Sequence, residues 1–213
     1  MRTAIVAGAS GLIGKELVQK LIKSDQYRLI YSIVRKKSGI SHEKIKEFVI
    51  DFEKIDQLKF DGPIDDVFCT LGTTMKQAGS RSNFKKVDYE YVVALANLGK
   101  QSGATKFLVI SSMGADPKSS VFYSQVKGMT EEALKNIGFK QLVIFRPSLL
   151  LGERSESRIA EKVSGLMMNT LNFLIPINYK AIKAEIVANS MLIMALKSTG
   201  KVSIVKSGEM QRE

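Results

Sequence analysis

The stretch Thr3-Ala4-Ile5-Val6-Ala7-Gly8-Ala9-Ser10-Gly11-Leu12-Ile13-Gly14 decides the fold. A run of small and β-branched apolar residues comes first. Glycines follow at positions 8, 11 and 14, and an amphipathic helix pattern then continues to about Lys23. Each glycine answers a physical need: Gly8 allows the tight turn, Gly11 lets the backbone approach an anion without a Cβ in the way, and Gly14 lets the helix pack close to the strand. The helix N-terminus offers free N–H groups and the positive end of its dipole. Gly8, Ser10, Gly11, Leu12, Ile13 and Gly14 are therefore candidates to cradle a dinucleotide pyrophosphate.

Working outward, apolar strands alternate with helical patterns. Strands are expected near Thr3–Ala7, Leu29–Val34, Glu47–Ile50, Asp66–Cys69, Lys106–Ile110 and Gln141–Phe145. Helices are expected near Gly11–Lys23, Phe84–Ser102 and Phe122–Ile137, and Met75–Asn83 reads as a polar loop. Near-continuous apolar strands between helices mean a parallel sheet covered on both faces. The expected class is α/β, a doubly wound parallel sheet in one domain. Residues 1–147 form its dinucleotide-binding part. A short, mostly helical substrate-side extension follows over 148–206, with helices near Glu156–Thr170 and Ala184–Leu196 and a strand near Val202–Val205. The tail from Ser207 to Glu213 is polar and is expected to fray.

The 213 residues carry 45% hydrophobic and 25% charged side chains, ordinary values for a globular chain. The single cysteine, Cys69, excludes an internal disulfide and reads as a small buried hydrophobe. Met1 leads straight into a strand pattern, and no apolar run approaches the roughly 20 residues of a membrane span. A cytoplasmic, membrane-free protein is the expectation. The net charge of +11 is spread along the chain without a basic, aromatic-interleaved block, so nucleic acid is not an expected partner. The charge does favour anionic ligands. His42, the only histidine, stands in a polar loop without metal-ligand neighbours, and no metal is expected.

In a doubly wound sheet, ligands sit beyond the carboxyl ends of the strands. Arg35, with Lys36 beside it, follows the second strand. A basic residue there suits the 2′-phosphate of NADP, where an acidic one would bind the ribose hydroxyls of NAD. NADP(H) is the expected nucleotide and NAD(H) the alternative. Asp51 and Phe52 follow the third strand, at the place for adenine. Leu71, Gly72 and Thr73 follow the fourth and offer backbone and hydroxyl groups to the cofactor. Tyr123 and Lys127, four apart, project from one helix face. A lysine ammonium beside a phenol favours the phenolate, which can exchange a proton with a carbonyl or alcohol oxygen. Ser111-Ser112 ends the fifth strand, and either hydroxyl could bind that oxygen. A bare YxxxK arises often by chance; its combination with the glycine turn and the serine pair is what gives it meaning.

Together these stretches resemble the short-chain dehydrogenase/reductase superfamily. The likeness is to its atypical branch of Tat-interacting-protein-type oxidoreductases and their bacterial relatives. The matching residues include Gly8–Gly14, Leu71–Thr74, Val87-Asp88 with Tyr91, Ser111–Asp116, Ser119–Gly128, Phe145-Arg146-Pro147 and Arg154–Arg158. The resemblance implies a Rossmann fold binding NADP(H), with Tyr123 as proton donor or acceptor. It implies that Lys127 holds the nicotinamide ribose and tunes Tyr123. Pro147, Ser148 and Leu149 would flank the nicotinamide, and Arg154–Arg158 would close over a small-molecule carbonyl or alcohol substrate. A homodimer is common in the superfamily. The branch also implies an alternative, an NADP(H)-binding sensor or regulatory protein without efficient turnover, and the shared YxxxK chemistry leaves a further one, a nucleotide-sugar epimerase or dehydratase.

Overall fold

Nearly every residue of the first strand is buried, which fixes it at the centre of a sheet covered on both sides. A computed structural model of the chain describes residues 1–151, 176–197 and 200–212. Strand β1 (Arg2–Ala7) turns into helix α1 (Leu12–Lys23), followed by β2 (Tyr27–Val34) and β3 (Ile45–Val49). A 3-10 helix at Phe52–Gln57 leads to β4 (Asp66–Cys69). Two short helices, α2 (Met75–Ala78) and α3 (Arg81–Lys85), then enter a π-helical turn at Lys86–Glu90 and helix α4 (Tyr91–Gln101). Strand β5 (Lys106–Ile110), helix α5 (Phe122–Ile137) and β6 (Gln141–Arg146) complete the first part. Two two-residue strands, β7 (Leu150–Leu151) and β8 (Ile182–Lys183), pair with each other. They precede helix α6 (Ala184–Leu196), strand β9 (Val202–Lys206) and helix α7 (Ser207–Met210).

The seven-stranded sheet runs β3-β2-β1-β4-β5-β6-β9. All its pairs are parallel. Alternate residues of β1 serve opposite cores. Ala4 and Val6 pack with Ile13, Leu17, Leu21, Val187 and Met191 under α1 and α6. Ile5 and Ala7 pack with Phe52, Val92, Leu95 and Leu134 under the 3-10 helix, α4 and α5. The chain winds outward in both directions from the gap between β1 and β4. That reversal leaves a crevice at the carboxyl ends of those two strands, the ligand position of this architecture.

Three local expectations are corrected. Met75–Asn83 is not all loop, because Thr74 and Ser80 each accept a backbone N–H three residues on and start the helices α2 and α3. The expected helix from Phe84 is interrupted by the π-turn. The tail does not fray from Ser207: it turns into α7, with Ser207, Gly208 and Met210 buried, and Gly208 N–H donates to Asn178 Oδ1 at 2.9 Å. Apolar Met210 supplies the burial that a polar composition hides. The expected helix near Glu156–Thr170 lies outside the described residues. No helix among the described residues is long and apolar enough to cross a membrane.

Candidate nucleotide and active site

The glycine turn is built as tightly as its spacing requires. Gly8 has φ of 86°, and a Cβ on it would lie 2.8 Å from the Thr70 carbonyl at the end of β4. Gly11 N–H donates to Gly8 O at 2.8 Å. A Cβ on Gly14 would lie 2.1 Å from that same carbonyl oxygen, an overlap no side chain tolerates. Gly11 occupies the N-cap position of α1 without a side-chain hydrogen bond. The first-turn N–H groups therefore have no side-chain acceptor and are free for an anion. Ser10, Gly11 and Leu12 are exposed, whereas the Ile13 side chain is committed to the core, so Ile13 has only its backbone to offer.

Around this turn, Arg35 and Lys36 stand exposed just past β2, with no ion-pair partner among the described residues. Asp51 is exposed and its Oδ1 accepts Glu53 N–H, capping the 3-10 helix. Phe52 turns its ring away from solvent. Its ring is buried against Tyr91, with centroids 5.6 Å apart, so only its backbone remains for adenine. Leu71 is half-buried against the second core, and Gly72 is exposed. Pro147 is buried, Leu149 is 63% exposed, and the Ser148 hydroxyl donates to Lys180 O.

The proton-transfer candidates sit on α5 and the loop that crosses it. Tyr123 lies in the first turn of α5, its ring 5.3 Å from that of the fully buried Phe84. Lys127, one turn on, is 5% exposed. Gly128 lets the loop after β5 lie on the helix, since a Cβ there would come within 2.1 Å of Pro117 N. Asp116 N–H donates to Ser124 O at 3.1 Å and straps that loop in place.

The two serines have different surroundings. Ser111 Oγ donates to Glu131 Oε1 at 2.5 Å, and Arg146 grips both oxygens of the same carboxylate, with Nε at 3.0 Å and Nη2 at 2.6 Å. The hydrogen bonds to Glu131 hold the Arg146 guanidinium above its ordinary pKa. Ser112 Oγ is buried and has no hydrogen-bond partner among the described residues. Spacing alone left the two hydroxyls equivalent; their neighbours separate them.

Asp88 was visible only as part of a matching stretch, and its place is at the centre of the site. It has no exposed surface. Lys127 Nζ lies 2.7 Å from its Oδ1, a buried ion pair. Thr73 N–H donates to its Oδ2 at 2.9 Å. Burial by itself lowers the pKa of Lys127, but Asp88 and the Tyr123 phenol outweigh it and hold the ammonium above its usual range.

Cys69, at the end of β4, is fully buried, and burial pushes its thiol up to about 12. The thiolate is the reactive form, so at pH 8 the folded protein is expected to resist iodoacetamide. Labelling should become complete only in denaturant, as read by intact mass. The candidate lid Arg154–Arg158 lies outside the described residues. His42 is exposed, with its ring Nδ1 accepting Lys44 N–H at 3.1 Å.

Comparison with known proteins agrees with this reading of the fold. Residues 8–166 match a family model described as NAD(P)H-binding. Protein HTATIP2 of Rattus norvegicus is 38% identical over 165 residues, which cover 75% of this chain and 67% of that protein. Protein FMP52-1, mitochondrial, of Scheffersomyces stipitis is 32% identical over 166 residues, covering 73% of this chain and 70% of that one. A solved short chain dehydrogenase family protein from Francisella tularensis superposes with a TM-score of 0.73 at 12% identity, over 100% of both chains. MoeE5, solved with UDP-glucose and NAD, superposes with a TM-score of 0.70 at 16% identity, over 98% of this chain and 79% of that one. The expectation of a cytoplasmic location is corrected here, because the FMP52 relatives are named as mitochondrial proteins. Composition and a lone cysteine carry no cellular address. The family model and these relatives place the chain in the NAD(P)H-binding family, and its fold is that of the solved short chain dehydrogenase family protein.

Proposed function

We propose that the protein is an NADP(H)-dependent oxidoreductase acting on a carbonyl or alcohol. The observation that carries this reading is the buried Lys127, one turn beyond Tyr123 on α5 and beside the loop after β4, where a Cβ on Gly72 would lie 3.8 Å from Lys127 Nζ. The glycine turn fits a dinucleotide: Gly8 and Gly14 let it close tightly between Thr70 and α1, the exposed Gly11 carries no side chain, and the uncapped start of α1 would meet the pyrophosphate charge. Arg35 and Lys36, exposed beyond β2, would hold a 2′-phosphate, so NADP(H) is preferred to NAD(H). Asp51, the backbone of Phe52, and Leu71, Gly72 and Thr73 would line the adenosine side, with Pro147 and Leu149 by the nicotinamide. When bound, the nicotinamide donates or accepts the hydride, and the protein supplies position and electrostatics.

Ser112 Oγ, buried without a partner among the described residues, would donate to the substrate oxygen and fix its orientation. Tyr123 would deliver the proton to that oxygen during reduction and take it back during oxidation. Lys127, kept as an ammonium, would stabilise the phenolate that remains and hold the nicotinamide ribose. Ser111 is engaged by Glu131 and so serves the frame of the site.

The test is NADPH consumption across a panel of aldehydes, ketones and quinones. Ser112→Ala is expected to lower turnover about 10²-fold, comparable to the loss of one preorganised donor. Ser111→Ala is expected to cost about 1–3 kcal/mol of stability, as for a buried hydrogen bond left incomplete, with a smaller effect on turnover. Tight NADPH binding without turnover across the whole panel would favour a nucleotide-sensing role instead.

A further inference from the structure

Arg35 to Lys44 join the end of β2 to the start of β3. The two strands are parallel, so the chain must travel back along the sheet between them. A helix usually makes such a crossover. Here an irregular loop makes it, and side chains fasten that loop along its length. At its far end Lys44 Nζ donates to the carbonyls of Ile22 and Ser24, at 2.9 and 3.0 Å, where α1 stops. In its middle Ile40 packs against the core under α1.

At the near end the fastening is Glu47. This residue stands on β3 in register with Ser32 of β2, and it is half-buried. Ser38 N–H lies 3.2 Å from both oxygens of its carboxylate, and the Ser38 hydroxyl donates to Oε2. The hydroxyl oxygen in turn accepts Ile40 N–H at 3.2 Å. Gly39, with φ of 77°, turns the chain at this point. Hydrogen bonds to a carboxylate are stronger than neutral ones, so this is a firm hold on one loop residue.

The hold matters because of what precedes it. Arg35, Lys36 and Lys37 are three exposed cations in a row. Such a run repels itself and extends unless both its ends are fixed. Val34 fixes one end, since its carbonyl accepts Ile50 N–H at 2.9 Å within the sheet. Ser38, gripped by Glu47, fixes the other. None of the ion pairs among the described residues uses Glu47 or these three cations. The carboxylate is thus spent on Ser38, and the cations keep their charge for an anion.

We propose that Glu47 is a positioning residue for the 2′-phosphate of the nucleotide: by holding Ser38 it keeps Arg35–Lys37 over the end of β2 and favours NADP(H) over NAD(H). This rests on the reading of Arg35 and Lys36 as the residues that hold that phosphate. A loop already in place spares the ligand the ordering of it. When the loop is in place only part of the time, affinity falls by that fraction. NADH has no 2′-phosphate and does not sense the difference.

The experiment is a fluorescence titration of the wild type, Glu47→Ala and Glu47→Gln with NADPH and with NADH. It is joined to trypsin cleavage of the nucleotide-free protein, with each cut quantified by mass spectrometry. Glu47→Ala removes the hold, whereas Glu47→Gln keeps an acceptor oxygen and removes the charge. In Glu47→Ala, NADPH affinity is expected to fall about ten-fold, as for a loop in place about one-tenth of the time, with NADH affinity within about two-fold of wild type. Cleavage within Arg35–Lys37 is expected to rise by at least about ten-fold, since proteolysis follows the population of the open form. Lys118, exposed in the loop before α5, is the internal standard and should be cut at the wild-type rate. Glu47→Gln is expected to stay within about three-fold of wild type in both readouts, the effect of one weakened hydrogen bond.

Equal losses of NADPH and NADH affinity in Glu47→Ala would overturn the proposal, and so would a parallel rise in cleavage at Lys118. Either would mean that Glu47 supports the fold at large. A gain of NADPH affinity in Glu47→Gln would also overturn it, because the carboxylate would then oppose the phosphate. If Glu47→Ala yields no folded protein, Ser38→Ala carries the test from the other side. It is expected to lower NADPH affinity about three-fold and to leave NADH affinity unchanged, and an unchanged NADPH affinity would overturn the proposal. The cleavage needs no nucleotide. A wild-type protein that prefers NADH would therefore sink the 2′-phosphate reading of Arg35, while the cleavage rates still decided whether Glu47 holds the loop.

Discussion

Gly14→Ala is expected to abolish nicotinamide-nucleotide binding. The new Cβ would lie 2.1 Å from Gly8 O and 2.8 Å from both the Gly8 carbonyl carbon and Thr70 Oγ1. Two of these three atoms are backbone, so no rotamer change relieves the overlap. The relief must come from the turn, because Gly8 O also accepts Gly11 N–H and the cradle shifts with it. Misplacing a binding frame by about 1 Å can cost about 10²-fold, and a loss of at least that size is expected in a fluorescence titration with NADPH. Overpacking of this kind also costs about 1–3 kcal/mol. That corresponds to a fall in Tm of roughly 2–12 °C for a chain of this length. Gly200→Ala is the control: a Cβ there meets nothing within 4 Å among the described residues, so both affinity and Tm should stay at the wild-type level.

Tyr123→Phe is expected to lower turnover by about 10²–10⁴-fold, the usual contribution of a positioned acid or base. The ring that packs 5.3 Å from Phe84 is retained, so the fold and the nucleotide site are left as they were. NADPH affinity should consequently stay within about two-fold of wild type by fluorescence, while steady-state nicotinamide absorbance reports the loss of turnover. A parallel fall in affinity and turnover would mean that the phenol binds the nucleotide and does not move the proton.

Much of the architecture was legible from the residues because the sheet is covered on both faces. Strands such as Asp66–Cys69 and Lys106–Ile110 are then apolar after their charged first residues, and their limits stand out against polar flanks. The glycine turn was equally legible, since each glycine excludes a Cβ for a steric reason that spacing alone reveals. What stayed hidden depends on contacts distant in sequence. Asp88 reads as one more solvated residue among Lys85, Lys86 and Glu90 until the π-turn rotates it inward. Glu131 stands beside Glu132 and looks like surface charge, yet it is 2% exposed and binds Ser111 and Arg146. The proposal of Ser112 over Ser111 rests on that hidden carboxylate, which their spacing does not show. Phe52 was read from its place after a strand, but an aromatic ring finds more favourable burial against Tyr91 than at the edge of the crevice.

The most direct test of the central claim is a fluorescence titration of the purified protein with NADPH and with NADH, repeated with Arg35→Ala. The glycine cradle and the exposed arginine predict tighter binding of NADPH than of NADH in the wild type, with a selective loss of NADPH affinity in the variant. Failure of the wild-type protein to bind either nucleotide would contradict the account and reduce the glycine turn to a device for packing α1 against β1.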